Sequence, residues 1–155
     1  MKIYKNLGVT SRIEGETLVL EKKTIQPILP IELDLTNMPD IAQTITVSCF
    51  GLGIPCNLFG LHTLKIKETD RLVALKEELS KLGARVEVTE NSLHLSSGRS
   101  FVEGMSISTY NDHRMALAFA PLATKTSLII EDSGVVSKSY PTYWEDLKTL
   151  QFEID

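Results

Sequence analysis

The chain has 155 residues, 43% of them hydrophobic and 23% charged, with a net charge of −4. That length supports one domain with a real core, the composition is ordinary for a soluble globular protein, and the acidic balance excludes a general nucleic-acid binder. No apolar run reaches the length of a membrane span, the opening MKIYKNLGVT lacks the apolar core of a signal peptide, and two cysteines, Cys49 and Cys56, make neither a disulfide framework nor a zinc signature, so buried thiols in a reducing, cytoplasmic setting are expected.

TLVLEKK (17–23) and PIELDL (30–35) alternate or cluster apolar residues as strands do. TNMPD follows as a turn. In IAQTITVSCFGLG, Ile41, Ile45, Cys49 and Leu52 recur at near-helical spacing, and Gly51 and Gly53 offer a stop. CNLFGL (56–61) reads as a strand. KETDRLVALKEELSKLG (67–83) is the clearest helix, with Leu72, Leu75, Leu79 and Leu82 in one apolar stripe and Gly83 at its end. RVEVTE and SLHLSS, joined near Asn91, form a hairpin pattern. ISTY (107–110) reads as a short strand, and HRMALAFAPLA as a helix apolar almost all round and hence buried. SLIIED (127–132) is a strand, and Pro141 sits where a helix over TYWEDLKTL would begin. The order gives a mixed α/β domain over 1–155: one β-α-β-α-β-β unit, then most of a second.

The unusual chemistry lies at the helix starts. A helix N-terminus carries partial positive charge and disfavours cations. Yet Lys67 and Arg71 flank the second start, His113 and Arg114 the third, and Lys138 precedes the fourth, while Asp40 stands at the first. If KETDR is helical, Lys67 and Arg71 share a face and repel. Each residue taken alone has an ordinary reading. Asp40 can be a cap, and Lys67 and Arg71 can pair with Glu68 and Asp70 at the surface for roughly 0–1 kcal/mol. Recurrence argues otherwise. Where strands run into their helices at one side, these loops converge, and helix N–H groups with Arg71, Arg114 and Lys138 make a pocket for a small, multiply charged anion. Asp40, Glu68 and His113 supply proton-transfer groups there.

LKIKETDRLVALKEELSKLGARVEV and YNDHRMALAFAPLA, with PDIAQT and SKSYP in the same order, closely resemble the C-terminal lobe of the 5-enolpyruvylshikimate-3-phosphate synthase family. The sister family that acts on UDP-N-acetylglucosamine shares the fold but not the paired KETDR and NDHRMA motifs. The resemblance implies an α-β prism, one lobe of a two-lobe enzyme built from repeated β-α-β-α-β-β units. It implies transfer of the enolpyruvyl group of phosphoenolpyruvate to the 5-hydroxyl of shikimate 3-phosphate, with release of phosphate and with no metal or organic cofactor. It implies that Asp40 accepts the hydroxyl proton and Glu68 protonates the methylene carbon. Lys67 and Thr63 reach shikimate 3-phosphate; Arg71, Arg114 and Lys138 hold phosphoenolpyruvate, and His113 assists. Family members often carry an amide where this sequence has Thr63.

The basic Lys-Ser loop and the Ser-Ser-Gln stretch of the family's N-terminal lobe are absent in context: Lys138–Ser139 belongs to the last motif, and Ser96–Ser97 is followed by Gly98. The expected partners are therefore small anionic substrates and an N-terminal lobe, without which the chain is expected to be inactive. A non-catalytic anion-binding module on the same fold is the alternative. The second unit lacks its last strand pair; segment 9–22 supplies it, or an exposed sheet edge is left that favours self-association.

Overall fold

The computed structural model describes residues 2–24, 30–67, 69–96 and 101–155. A single helical turn, α1 (Lys2–Lys5), leads into strands β1 (Val9–Glu14) and β2 (Thr17–Lys22), an antiparallel hairpin whose two-residue loop opens on Gly15 at φ +62°. Next come β3 (Ile31–Asp34), α2 (Ala42–Leu52), β4 (Cys56–Phe59), α3 (Arg71–Lys81), β5 (Val86–Val88) and β6 (Leu93–Leu95). β3 and β4 are parallel, with α2 as their crossover, and β6 inserts antiparallel between β4 and β5, giving the order β3-β4-β6-β5. This is the expected β-α-β-α-β-β unit. β7 (Met105–Ile107), α4 (His113–Phe119), β8 (Leu128–Ile130) and α5 (Tyr143–Thr149) follow, and β7 pairs parallel with β8.

Local chemistry explains the boundaries. Gly53 ends α2 in the left-handed conformation (φ +67°), and its amide and that of Ile54 return to Phe50 and Cys49 carbonyls, each at 2.9 Å. Asp70 caps α3, its Oδ1 accepting from the amides of Leu72 and Val73. The helix therefore starts at Arg71, four residues later than the sequence suggests. Lys67 lies outside it in extended backbone, so Lys67 and Arg71 do not share a helix face. The strand read at 107–110 lies instead at Met105–Ile107, because Tyr110 and Asn111 take left-handed backbone (φ +54° and +57°), which no strand permits. α5 begins at Tyr143, two residues after Pro141.

Leu72, Leu75, Leu79 and Leu82 are all buried in the main core, as the stripe predicts. α2 and α4 lie against each other in it, and the turn after α4 presses so close that a Cβ at Gly51 would meet Leu122 Cδ2 at 2.9 Å. α4 is buried on two sides: Met115, Ala118 and Phe119 enter the main core, and Ala116 joins Ala120, Val135, Val136, Tyr143 and Leu147 in a smaller one. The all-round apolar pattern has that cause.

Segment 9–22 does not complete the second unit: among the described residues β1 and β2 pair only with each other. Their sequence repeats that of α3–β5–β6 at one constant spacing, with Leu7, Gly8, Ile13, Leu18 and Leu20 matching Leu82, Gly83, Val88, Leu93 and Leu95. Gly8 and Gly83 are both left-handed (φ +82° and +94°). α1 with this hairpin thus reproduces the closing part of a β-α-β-α-β-β unit. No described helix is long and apolar enough to cross a membrane.

Candidate active site

Three helix starts meet. Asp40 stands in the 3-10 turn Pro39–Ile41 that leads β3 into α2, Arg71 opens α3, and Arg114 is the second residue of α4. Parallel crossovers put the C-terminal ends of β3 and β4 on one side, so the loops that follow them share an edge. The Arg71 side chain is buried, and its fork is divided: Nε donates to Asp112 Oδ2 at 2.6 Å, and Nη1 to Asp40 Oδ1 at 2.9 Å. Asp112 is wholly buried. Its second oxygen caps α4 by accepting from the Arg114 amide at 2.9 Å. Arg114 in turn reaches Asp40 twice, Nη2 to Oδ2 at 3.2 Å and Nη1 to the backbone carbonyl at 2.8 Å. Lys67 Nζ lies 3.6 Å from Asp40 Oδ1.

Asp40 is thus the shared counter-ion of three cations from three segments. Partial burial pushes its carboxyl pKa up, but Arg114, Lys67 and Arg71 outweigh that and hold it below the usual carboxylate range. The carboxylate is ionised at neutral pH and fixed in place. The buried Arg71–Asp112 pair depends on both partners, because removing one leaves an uncompensated buried charge, a loss of about 3–5 kcal/mol.

Lys138 closes the 3-10 turn Ser133–Lys138, and its Nζ donates to Asn111 Oδ1 at 2.8 Å and to the Asn111 carbonyl at 3.0 Å. It therefore holds the segment that leads into Asp112 and Arg114. Two consecutive non-glycine residues in left-handed backbone, Tyr110 and Asn111, cost roughly 1–2 kcal/mol each. Such a segment persists only where its surroundings fix it. His113, half-buried, opens α4. Thr63 sits in the 3-10 turn His62–Ile66 with a buried hydroxyl that finds no partner among the described residues. Glu68 lies outside the described residues.

The structure brings together Asp40, Lys67, Arg71 and Arg114, and it ties Lys138 to the same segment as Arg114. Asp112 was not among the candidate residues, although it is both the cap of α4 and the buried partner of Arg71. The cap is local and leaves a pattern, whereas the Arg71 contact spans 41 residues and leaves none.

The model of the EPSP synthase (3-phosphoshikimate 1-carboxyvinyltransferase) family matches residues 1–147. A 3-phosphoshikimate 1-carboxyvinyltransferase of Bacteroides fragilis is 43% identical over 99% of this chain, and one of Methanospirillum hungatei is 32% identical over 97%. The chain spans 38% and 35% of the length of those two relatives. Among solved structures, the EPSP synthase of Acinetobacter baumannii superposes with a TM-score of 0.75 at 22% identity, over 96% of this chain and 37% of that one. The enolpyruvyl transferase NikO of Streptomyces tendae does so with a TM-score of 0.67 at 17% identity, over 99% and 35%. Both share the mixed α/β fold. By the extent of the family match and the identity to its members, this chain belongs to the EPSP synthase family.

Proposed function

We propose that the chain contributes the C-terminal-lobe half of an active site that transfers the enolpyruvyl group of phosphoenolpyruvate to the 5-hydroxyl of shikimate 3-phosphate, releasing phosphate. The observation that carries this is the convergence of Lys67, Arg71 and Arg114 on Asp40: a proton acceptor set among cations that suit a doubly anionic substrate. In this reading Asp40 takes the 5-hydroxyl proton as the oxygen attacks C2 of phosphoenolpyruvate, and Glu68 delivers a proton to the methylene carbon. The tetrahedral adduct then expels phosphate as a proton leaves the new methyl group. Arg71, Arg114 and Lys138 hold the phosphate and carboxylate, Lys67 and Thr63 reach shikimate 3-phosphate, and His113 stands beside the arginines. Substrate anions compete with Asp40 for Arg114 and Lys67, which makes the carboxylate more basic where the proton must be taken.

The relatives' greater length supports a second lobe that completes the site and excludes water. Two buried free thiols agree with a cytoplasmic setting. A coupled phosphate-release assay with both substrates tests the reading, using the chain alone and mixed with the N-terminal lobe of a relative. Turnover only in the mixture is expected. No turnover in either, with the chain verified as folded, would leave an anion-binding module.

A further inference from the structure

We propose that Glu78 and Tyr110 are positioning residues of the anion site: α3, which carries Arg71 at its first residue, grips through Glu78 the left-handed segment that aims Asp112 and Arg114. Glu78 is wholly buried although it lies on the helix that carries the leucine stripe, where an unpartnered charge would be costly. It is fully engaged. Lys81 Nζ lies 2.9 and 2.7 Å from its two oxygens, the Ser108 amide donates to Oε2 at 3.1 Å, and the Tyr110 hydroxyl lies 2.7 Å from Oε1. That hydroxyl is also 2.8 Å from Glu77 Oε2, so it donates to one carboxylate or the other. Glu78 thus holds the backbone before the left-handed pair and the side chain of its first member. Lys138 holds the second member, Asn111, from the other side.

The geometry links these grips to the cations. Immediately after the pair, the Asp112 amide donates to the Thr109 carbonyl at 2.8 Å, and Asp112 meets both Arg71 Nε and the Arg114 amide. One rigid helix therefore carries Arg71 at its start and, about two turns on, the acceptor that places the loop opposite Arg71. The spacing between Arg71 and Arg114 is set by α3 rather than by the loop itself. None of this needs Glu78 or Tyr110 to touch a substrate.

This inference rests on the enolpyruvyl-transfer reading, and its test separates the two. Tyr110→Phe deletes the hydroxyl alone, Glu78→Gln keeps the side-chain shape, and Tyr4→Phe, which loses a hydroxyl contact to Ser48 on α2, is the control. The first readout needs no ligand. Hydrogen exchange at the Asp112 and Arg114 amides is expected to quicken about tenfold in Tyr110→Phe and in Glu78→Gln, while amides of α5 and of the control stay as they are. The second is phosphoenolpyruvate affinity by calorimetry, expected to fall about tenfold in both variants and not in the control. Unchanged exchange overturns the inference. So does faster exchange with unchanged affinity, which marks a purely structural contact. Should the parent chain bind no phosphoenolpyruvate even when mixed with the N-terminal lobe of a relative, the functional reading fails, and the exchange measurement still decides whether α3 sets the loop. Should Glu78→Gln fail to fold, Tyr110→Phe decides alone.

Discussion

Hairpin β5–β6 closes the four-stranded sheet, while hairpin β1–β2, written on the same frame of Leu-Gly and Leu-x-Leu, stands as a sheet of its own. Val88 is half-buried, and Leu93 and Leu95 are 0% and 3% exposed. In the other copy, Ile13, Leu18 and Leu20 are 65%, 54% and 62% exposed. The two hairpins agree in the left-handed glycine that starts them and in cross-strand register, with Val88 facing Leu93 as Ile13 faces Leu18. Turn chemistry and alternation thus produce the hairpin wherever they occur. What surrounds it decides whether its apolar face stabilises the fold, at about 1.5–3 kcal/mol for each large side chain buried.

The largest expected effect separates the copies. Leu93→Ala should destabilise the chain by about 3 kcal/mol in urea unfolding, through lost burial and the cavity left behind. Leu18→Ala, its counterpart, should stay within about 0.5 kcal/mol; equal losses would mean that the two faces are equally packed. Next come the glycines. Gly8→Ala and Gly83→Ala should each cost roughly 1–2 kcal/mol, because both need positive φ whatever their neighbours. A cost at one alone would break the backbone equivalence.

Acid sharpens the comparison from the side of the site, in the unit that β5–β6 completes. A carboxyl lowered in the fold contributes stability above its unfolded pKa, near about 3.9, and that stability is lost as pH falls through the folded value. Asp40 is such a group. The fall of stability below about pH 4 should be shallower in Asp40→Asn, read by thermal unfolding across pH; an unchanged slope would show that Asp40 is not held by its cations. The smallest energetic effect belongs to the exposed face. Leu18→Ser with Leu20→Ser should leave the unfolding midpoint in place and reduce binding of a hydrophobic dye. Undiminished dye binding would mean that the accessible apolar surface lies elsewhere.

Much of the architecture was legible in the sequence because its signals are local. The leucine stripe of α3, the Gly53 stop of α2 and the alternation in 85–96 each state their structure within a dozen residues. The errors arose where a local signal competed with a stronger one nearby. Lys67 belongs to the KETDR motif but not to the helix, because Asp70 caps three residues after it. ISTY has strand composition, yet Tyr110 is drawn into left-handed backbone that contacts with Glu78 help to hold. At the site, cations at successive helix starts pointed to loops that converge, and Lys67, Arg71 and Arg114 do meet at Asp40. The division of the Arg71 fork between Asp40 and Asp112 was not readable, since it joins residues far apart in the chain. Nothing in the sequence pattern sets the buried Glu78 apart from the exposed Glu77 beside it.

The two-sided burial of α4 has a thermal consequence. This helix is a shared wall: Met115 and Phe119 belong to the larger core, Ala116 to the smaller one with Tyr143 and Leu147. A cluster of so few side chains loosens before the larger one does. When it loosens, α4 loses support on one side, and Arg114, two residues before Ala116, loses its aim at Asp40 while the sheet is still intact. Warming should therefore release Arg114 from Asp40 below the temperature at which the chain unfolds. The fragile partner in that loss is the packing around Tyr143 in the smaller core.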